Sequence, residues 1–190
     1  RGMRNALVEN GFYENVSYSL VSGDINDKLM LSNEENKIVR IANPISEDIS
    51  CMRTSLAHSL LLNISYNLNV GNKSLRIFEC GRTYTAKSLP LEELPIEKNY
   101  LAIAVCEKGY DFFDLKGIVE GLLENTSVKY DLVRSSKQFL HPGVSADIVC
   151  GDIVIGSLGK IHPIVAKHYD LPVDIVYAEK VKAIHTEPYI

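Results

Sequence analysis

The side chains able to hold an anion, a metal or a proton are few and scattered. Arg53 lies in IANPISEDISCMRTSL (41–56), just before an apolar helical pattern, and Arg82 lies in LRIFECGRTY (75–84). A guanidinium is a planar fork of donors that matches phosphate or carboxylate, so these two are the candidate anion contacts. An arginine near a helix start more commonly pairs with a carbonyl or a carboxylate, and Glu79 and Glu47 are the acids within view of Arg53. His141-Pro142-Gly143 and His162-Pro163 are the most site-like histidines. A zinc site needs three or four ligands in set geometry, and no cluster supplies them, so both pairs read as turn structure. His58 and His168 fall on helical patterns and are expected to be partly exposed. Asp111 and Asp114 precede an amphipathic helix, where acids favour the helix dipole; a Mg²⁺ carboxylate pair is the minor alternative. Gly156-Ser157-Leu158-Gly159-Lys160 lacks the glycine spacing and the Lys-Ser/Thr ending of a phosphate loop. It reads as strand and turn. No nucleophile elbow is present, and no cysteine has a local histidine partner.

The elements that must position these residues follow from periodicity. Residues 2–10 read as a helix stopped by Gly11, and Phe12–Val21 as a strand. Ser22 and Asp24 can cap a short helix, and KIVRIAN (37–43) reads as a strand ended by Pro44. Leu56, Leu60, Leu61, Ile64 and Leu68 make one apolar stripe on the longest helix, 54–69. LRIFEC (75–80) and RTYTA (82–86) read as strands broken at Gly81, and 87–98 as a polar surface loop. YLAIAVCE (100–107) has the continuous apolar run of a central strand. The pattern over 111–125 is helical. Three strand-like runs follow, the last two joined at Gly151-Asp152. A short helix over 162–170 and a strand over 174–181 complete the chain. Strands outnumber helices and arrive in neighbouring runs without strict βαβ alternation. The fold class is therefore α+β, a mainly antiparallel sheet of about six strands flanked by helices.

Bulk properties narrow the function. The chain has 190 residues, 46% hydrophobic and 23% charged, with a formal charge of -4. That balance argues against nucleic-acid binding through a basic face of its own. Cys51, Cys80, Cys106 and Cys150 form no Cys-x-x-Cys pair and sit among apolar neighbours, so buried reduced thiols are expected. No window reaches the ~18 apolar residues of a membrane span, the start lacks a signal-peptide core, and a cytoplasmic location is expected. The chain opens mid-helix and closes on HTEPYI, as a piece of a longer polypeptide would.

Four ordered stretches, ANPISEDISCMRTSLAHSLLLNISYNLN, LRIFECGRTY, YDFFDLKGIVEGLL and FLHPGVSADIVCGDIVIGSLGKIHP, resemble the β chain of bacterial phenylalanyl-tRNA synthetase. The similarity is to its region folded like a class II synthetase core. The resemblance implies a catalytic-like but non-catalytic core over residues 1–182, with 183–190 leading toward an anticodon-binding domain. It implies a partner α subunit that activates phenylalanine in an (αβ)₂ heterotetramer, with ATP and Mg²⁺ bound elsewhere and tRNA held by other domains. Arg53, Thr54, Ser55, Gly81, Arg82 and Tyr84 would be framework positions of a vestigial active site. Where a catalytic relative continues from Tyr into an arginine and an acid, this chain has Thr85-Ala86-Lys87. Where the third motif should present its arginine, it has Gly159-Lys160-Ile161-His162-Pro163. Without those cations the electrostatic stabilisation of adenylate formation is lost. Asn43, Pro44, Ile45, Ile49 and Met52 would face the partner chain, and no residue here is assigned to catalysis or metal. A stand-alone ATP-dependent carboxylate-activating ligase is the alternative, and it should have kept both arginines.

Overall fold

A computed structural model describes residues 2–181 except 125, 127 and 173. The elements are α1 (Met3–Glu9), β1 (Tyr13–Glu14), β2 (Leu20–Val21), α2 (Ile25–Lys28), β3 (Cys51–Met52), α3 (Ala57–Asn69), β4 (Leu75–Thr85) and β5 (Ile96–Cys106). They continue with α4 (Phe112–Glu124), β6 (Asp131–Arg134), β7 (Leu140–Cys150), β8 (Ile153–Ile161), α5 (Pro163–His168) and β9 (Val176–Glu179). Seven strands form one sheet in the order β1-β4-β5-β9-β8-β7-β6, and β2 pairs with β3 in a small second sheet. Every pairing is antiparallel except that of β1 with β4. The region 183–190, expected as a linker, lies outside the described residues.

The sheet is covered on both faces, which is why its central strand reads as an unbroken apolar run. Along β5, Leu101, Ile103 and Val105 join one core with α1 and α4, whereas Ala102, Ala104 and Cys106 join the other with α2, α3 and α5. The stripe on α3 is fully buried at Leu56, Leu60, Leu61 and Ile64. The start of α4 is a reciprocal cap: Asp111 Oδ1 accepts from Phe113 N at 2.7 Å, and Asp114 Oδ2 accepts from Asp111 N at 2.8 Å. Both acids satisfy helix-start amides. His162 caps α5 in the same manner, its Nδ1 accepting from Ile164 N at 3.2 Å.

Three expected elements differ. The Phe12–Val21 strand is two short pieces, because the side chains of Asn15 and Ser17 turn inward to Glu79. The 37–43 strand is reduced to one bridge, Arg40 with Cys51. Gly81 does not break a strand: β4 runs through it and pairs with β5 from Leu75↔Cys106 to Thr85↔Ile96. Consequently 96–98 belongs to β5 rather than to the polar loop.

Two glycines mark opposite situations. Gly159 faces Ser145 across the β7–β8 pair, and a Cβ there would sit 2.7 Å from Val144 O and 2.9 Å from Ser145 Cα. Backbone cannot yield as a flexible side chain does, so overpacking is expected to cost about 1–3 kcal/mol. Gly117 lies on the exposed face of α4 with nothing within 4 Å of a new Cβ, and a helical glycine costs roughly 0.5–1 kcal/mol against alanine. Urea unfolding should therefore show Gly159→Ala destabilised and Gly117→Ala stabilised, each by about these amounts.

Candidate functional site

The residues expected as framework positions converge where the 53–56 segment crosses the sheet. Arg53 is 3% exposed. Its Nη1 pairs with Glu79 Oε1 at 2.6 Å and its Nε donates to Arg82 O at 2.9 Å. Glu79 also accepts from Asn15 Nδ2 and Ser17 Oγ, both at 2.7 Å. Gly81 has no Cβ because the Arg53 guanidinium and Leu56 occupy that space. Tyr84 N donates to Arg53 O at 2.9 Å. Of the two acids considered for Arg53, Glu79 receives it, while Glu47 lies in an exposed 3-10 turn. Arg82 sends its side chain outward to Glu97 at 2.7 Å, with both partners about half exposed (52% and 48%). Neither guanidinium is aimed at an open site.

The next residues reach other elements. Thr54 Oγ1 donates to Asn26 Oδ1 in α2 at 3.0 Å. Ser55 Oγ lies 2.9 and 3.0 Å from the Glu179 oxygens, and Leu56 N donates to Glu179 Oε1 at 2.7 Å. A carboxylate from β9 thus satisfies an amide at the start of α3, where the dipole favours negative charge.

Strand register sets these acids in one row. Glu79 faces Ala102, Ala102 faces Glu179, Glu179 faces Ser157, and Ser157 faces Asp147. With strands ~4.8 Å apart, successive acids stand roughly 10 Å from each other on one face. All three are buried, and the first has a buried cation. Asp147 Oδ1 instead accepts from Ser135 Oγ at 2.7 Å and Ser157 Oγ at 2.6 Å. The field of Glu179 adds to burial in pushing the Tyr100 phenol up to about 12. A cavity of about 230 Å³ opens over the Glu179–Ser157 part of the row. Sequence reasoning missed Glu179, Asp147 and Ser157, since only the register that brings four strands together reveals them.

His58 is buried, not partly exposed, at 5%. Its Nδ1 lies 2.7 Å from Tyr169 Oη, and burial lowers its pKa to about 4, with the Lys28 charge adding to that. His168 is exposed on α5, with Nδ1 2.9 Å from Lys28 O. His141 lies within β7 and bonds its own turn, accepting from Gly143 N at 3.1 Å. The four cysteines are free, but Cys80 and Cys150 are only half-buried. Burial pushes the thiols of Cys51, Cys80 and Cys106 up, away from the reactive thiolate. Asn43, Pro44 and Ile45 are exposed on the loop before β3, whereas Ile49 and Met52 are half-buried.

This architecture is that of a class II synthetase core. The structure of PylSc, a pyrrolysyl tRNA synthetase from Desulfitobacterium hafniense, matches with a TM-score of 0.72 at 20% identity, over 93% of this chain and 60% of that one. A second pyrrolysyl-tRNA synthetase structure from the same organism gives a TM-score of 0.72 at 18% identity, over 93% of this chain and 63% of that one. The family model for the phenylalanyl tRNA synthetase beta chain CLM domain matches residues 1–180, and the chain belongs to that family. Among curated relatives, the phenylalanine–tRNA ligase beta subunit of Clostridium acetobutylicum is 37% identical over 87% of this chain and 21% of its own length. The Syntrophus aciditrophicus subunit is 38% identical over 89% of this chain and 23% of its own length. The chain thus spans roughly a fifth to a quarter of these relatives' length.

Two stability outcomes follow. Removing one partner of a buried ion pair costs about 3–5 kcal/mol, whereas an exposed pair is worth about 1 kcal/mol or less. Chemical denaturation should show Arg53→Ala losing the larger amount and Arg82→Ala the smaller. For His58 the folded pKa, about 4, is depressed below the ordinary 6.5. Its contribution is complete above pH 6.5 and is lost as pH falls through 4, because the unfolded chain takes up the proton first. The melting temperature should decline across that window, and His58→Gln should flatten the decline.

Proposed function

We propose that this chain is a non-catalytic core domain of the β subunit of phenylalanine–tRNA ligase. It packs against the catalytic α subunit in an (αβ)₂ assembly that attaches phenylalanine to its tRNA. In this reading ATP and Mg²⁺ are handled elsewhere in the holoenzyme, tRNA is bound by other domains, and the assembly is cytoplasmic. Among the described residues no helix is long and apolar enough to cross a membrane.

The observation that carries the non-catalytic part is the buried Arg53–Glu79 pair. Arg53, a candidate anion contact, is neutralised inside the fold, and freeing it would strand a buried carboxylate. The partner part rests on three highly exposed side chains carried on linked segments. Val16 is 89%, Tyr18 86% and Ile45 94% exposed. The Val16–Tyr18 strap is tied to α3 by Asn63 Nδ2, which donates to Asn15 Oδ1 at 2.7 Å. Through the β2–β3 pair it also adjoins the loop that carries Ile45. Permanent subunit interfaces are rich in such side chains.

Ile45 separates surface from core cleanly. Ile45→Asp in the full-length β chain should leave the melting temperature unchanged and abolish co-elution with the α subunit. Retained co-elution would place the interface elsewhere.

A further inference from the structure

The cavity over Glu179 is enclosed by the 30–36 loop, the 136–139 turn, the middle of β8 and the end of β9. At about 230 Å³ it is smaller than the ~300–1,000 Å³ typical of drug-sized ligands, so it suits a small metabolite. Its floor is Glu179, Ser157 and Ser55, and one wall is apolar, formed by Met30, Leu31 and Phe139.

The lining charges, Glu35 and Glu179 against Lys137 and Lys180, select among ligand chemistries. Glu179 is 3% exposed, and among the described residues no cation forms an ion pair with it. An ionised carboxylate has about four acceptor sites, and Ser55 Oγ and Leu56 N leave capacity on Oε2. The start of α3 offsets roughly half a charge, so the floor stays negative. Lys137 is half-buried at the mouth and its ammonium has no partner among the described residues, while Lys180 lies over the Tyr100 ring at 5.5 Å. A phosphate would meet the Glu179 carboxylate, and a polyamine would meet the two lysines. Among the described residues no group of three His, Cys, Asp or Glu side chains is placed to hold a metal ion. A zwitterion with an apolar body matches the Glu179 floor, the lysines and the apolar wall.

We infer that this cavity binds a free α-amino acid with an aliphatic side chain. The ammonium sits on Glu179, the carboxylate on Lys137, and the aliphatic group against Met30, Leu31 and Phe139. Ser157, already donating to Asp147 at 2.6 Å, offers its oxygen as a further acceptor for the ammonium. The site stands on the cavity alone and not on pairing with the α subunit, so either reading can fail without the other.

The test is calorimetric titration of the full chain with leucine, 3-methylbutylamine, which lacks the carboxylate, and 4-methylpentanoate, which lacks the ammonium. Saturable leucine binding is expected, with both analogues at least about tenfold weaker. Glu179→Gln keeps an acceptor for Leu56 N but removes the charge, and should weaken leucine about tenfold without unfolding the protein. If that variant does not fold, Lys137→Ala, at the rim, decides by the same measure. No saturable leucine binding up to about 10 mM would overturn the assignment. So would equal binding of either analogue, or undiminished binding by a folded Glu179→Gln or by Lys137→Ala.

Discussion

Burying an ionised carboxylate costs several kcal/mol unless donors or a cation replace its water, and this fold buries three in one row across its sheet. The segment Arg53-Thr54-Ser55-Leu56 is the common solution for two of them. Arg53 neutralises Glu79 in β4, Thr54 anchors α2, and Ser55 with the Leu56 amide satisfies Glu179 in β9. Four consecutive residues therefore tie the second strand of the sheet, its fourth strand and two helices into one network. The path of the chain on either side answers to it. The strap at Asn15–Ser17 bends inward to complete the shell of Glu79, and Gly81 omits a side chain where the guanidinium must pass.

The same network fixes what the two arginines do inside this fold. A guanidinium serving a phosphate must be held at the edge of an open site, with its remaining donors unpaired until substrate arrives. Arg53 has its Nε and Nη1 donors committed to Arg82 O, Ser17 and Glu79. Arg82 sits at solvent on Glu97. These contacts supply cohesion between strands and helices.

Legibility in the sequence followed the range of the interaction. The α3 and α4 patterns and the β5 run depend on neighbours within a few residues, and the structure carries each close to its expected bounds. The acid pair before α4 resolves as a cap for the same reason. Pairing of Arg53 with Glu79 was open to reasoning because an arginine at a helix start seeks a nearby acid. Glu179 was not, since it lies 123 residues from the amide it caps. Phe12–Val21 looked like one strand by composition, yet its polar side chains are pulled to a partner 62 to 64 residues away. Gly81 looked like a breaker because a glycine's local meaning is a turn, whereas its role is steric room for a distant side chain.

The row also constrains how the sheet can assemble. Its two faces differ only by the alternation within each strand, and a slip of one residue exchanges them. If β9 shifted by one position, Glu179 would point to the face where Val176 and Ala178 now pack with Leu158 and the α4 leucines. That slip would take the acid away from Ser55 Oγ and the Leu56 amide, its donors in the native register, into a mainly apolar core, which costs the desolvation of the group. An Ala102 or Val176 in the same slip would lose only contact area. Polar satisfaction therefore discriminates between registers that apolar burial alone would nearly equate. The bulge around Ile155 in β8 fits this reading, for it lets Ile155 and Leu158 reach the same apolar core while Ser157 remains beside Glu179.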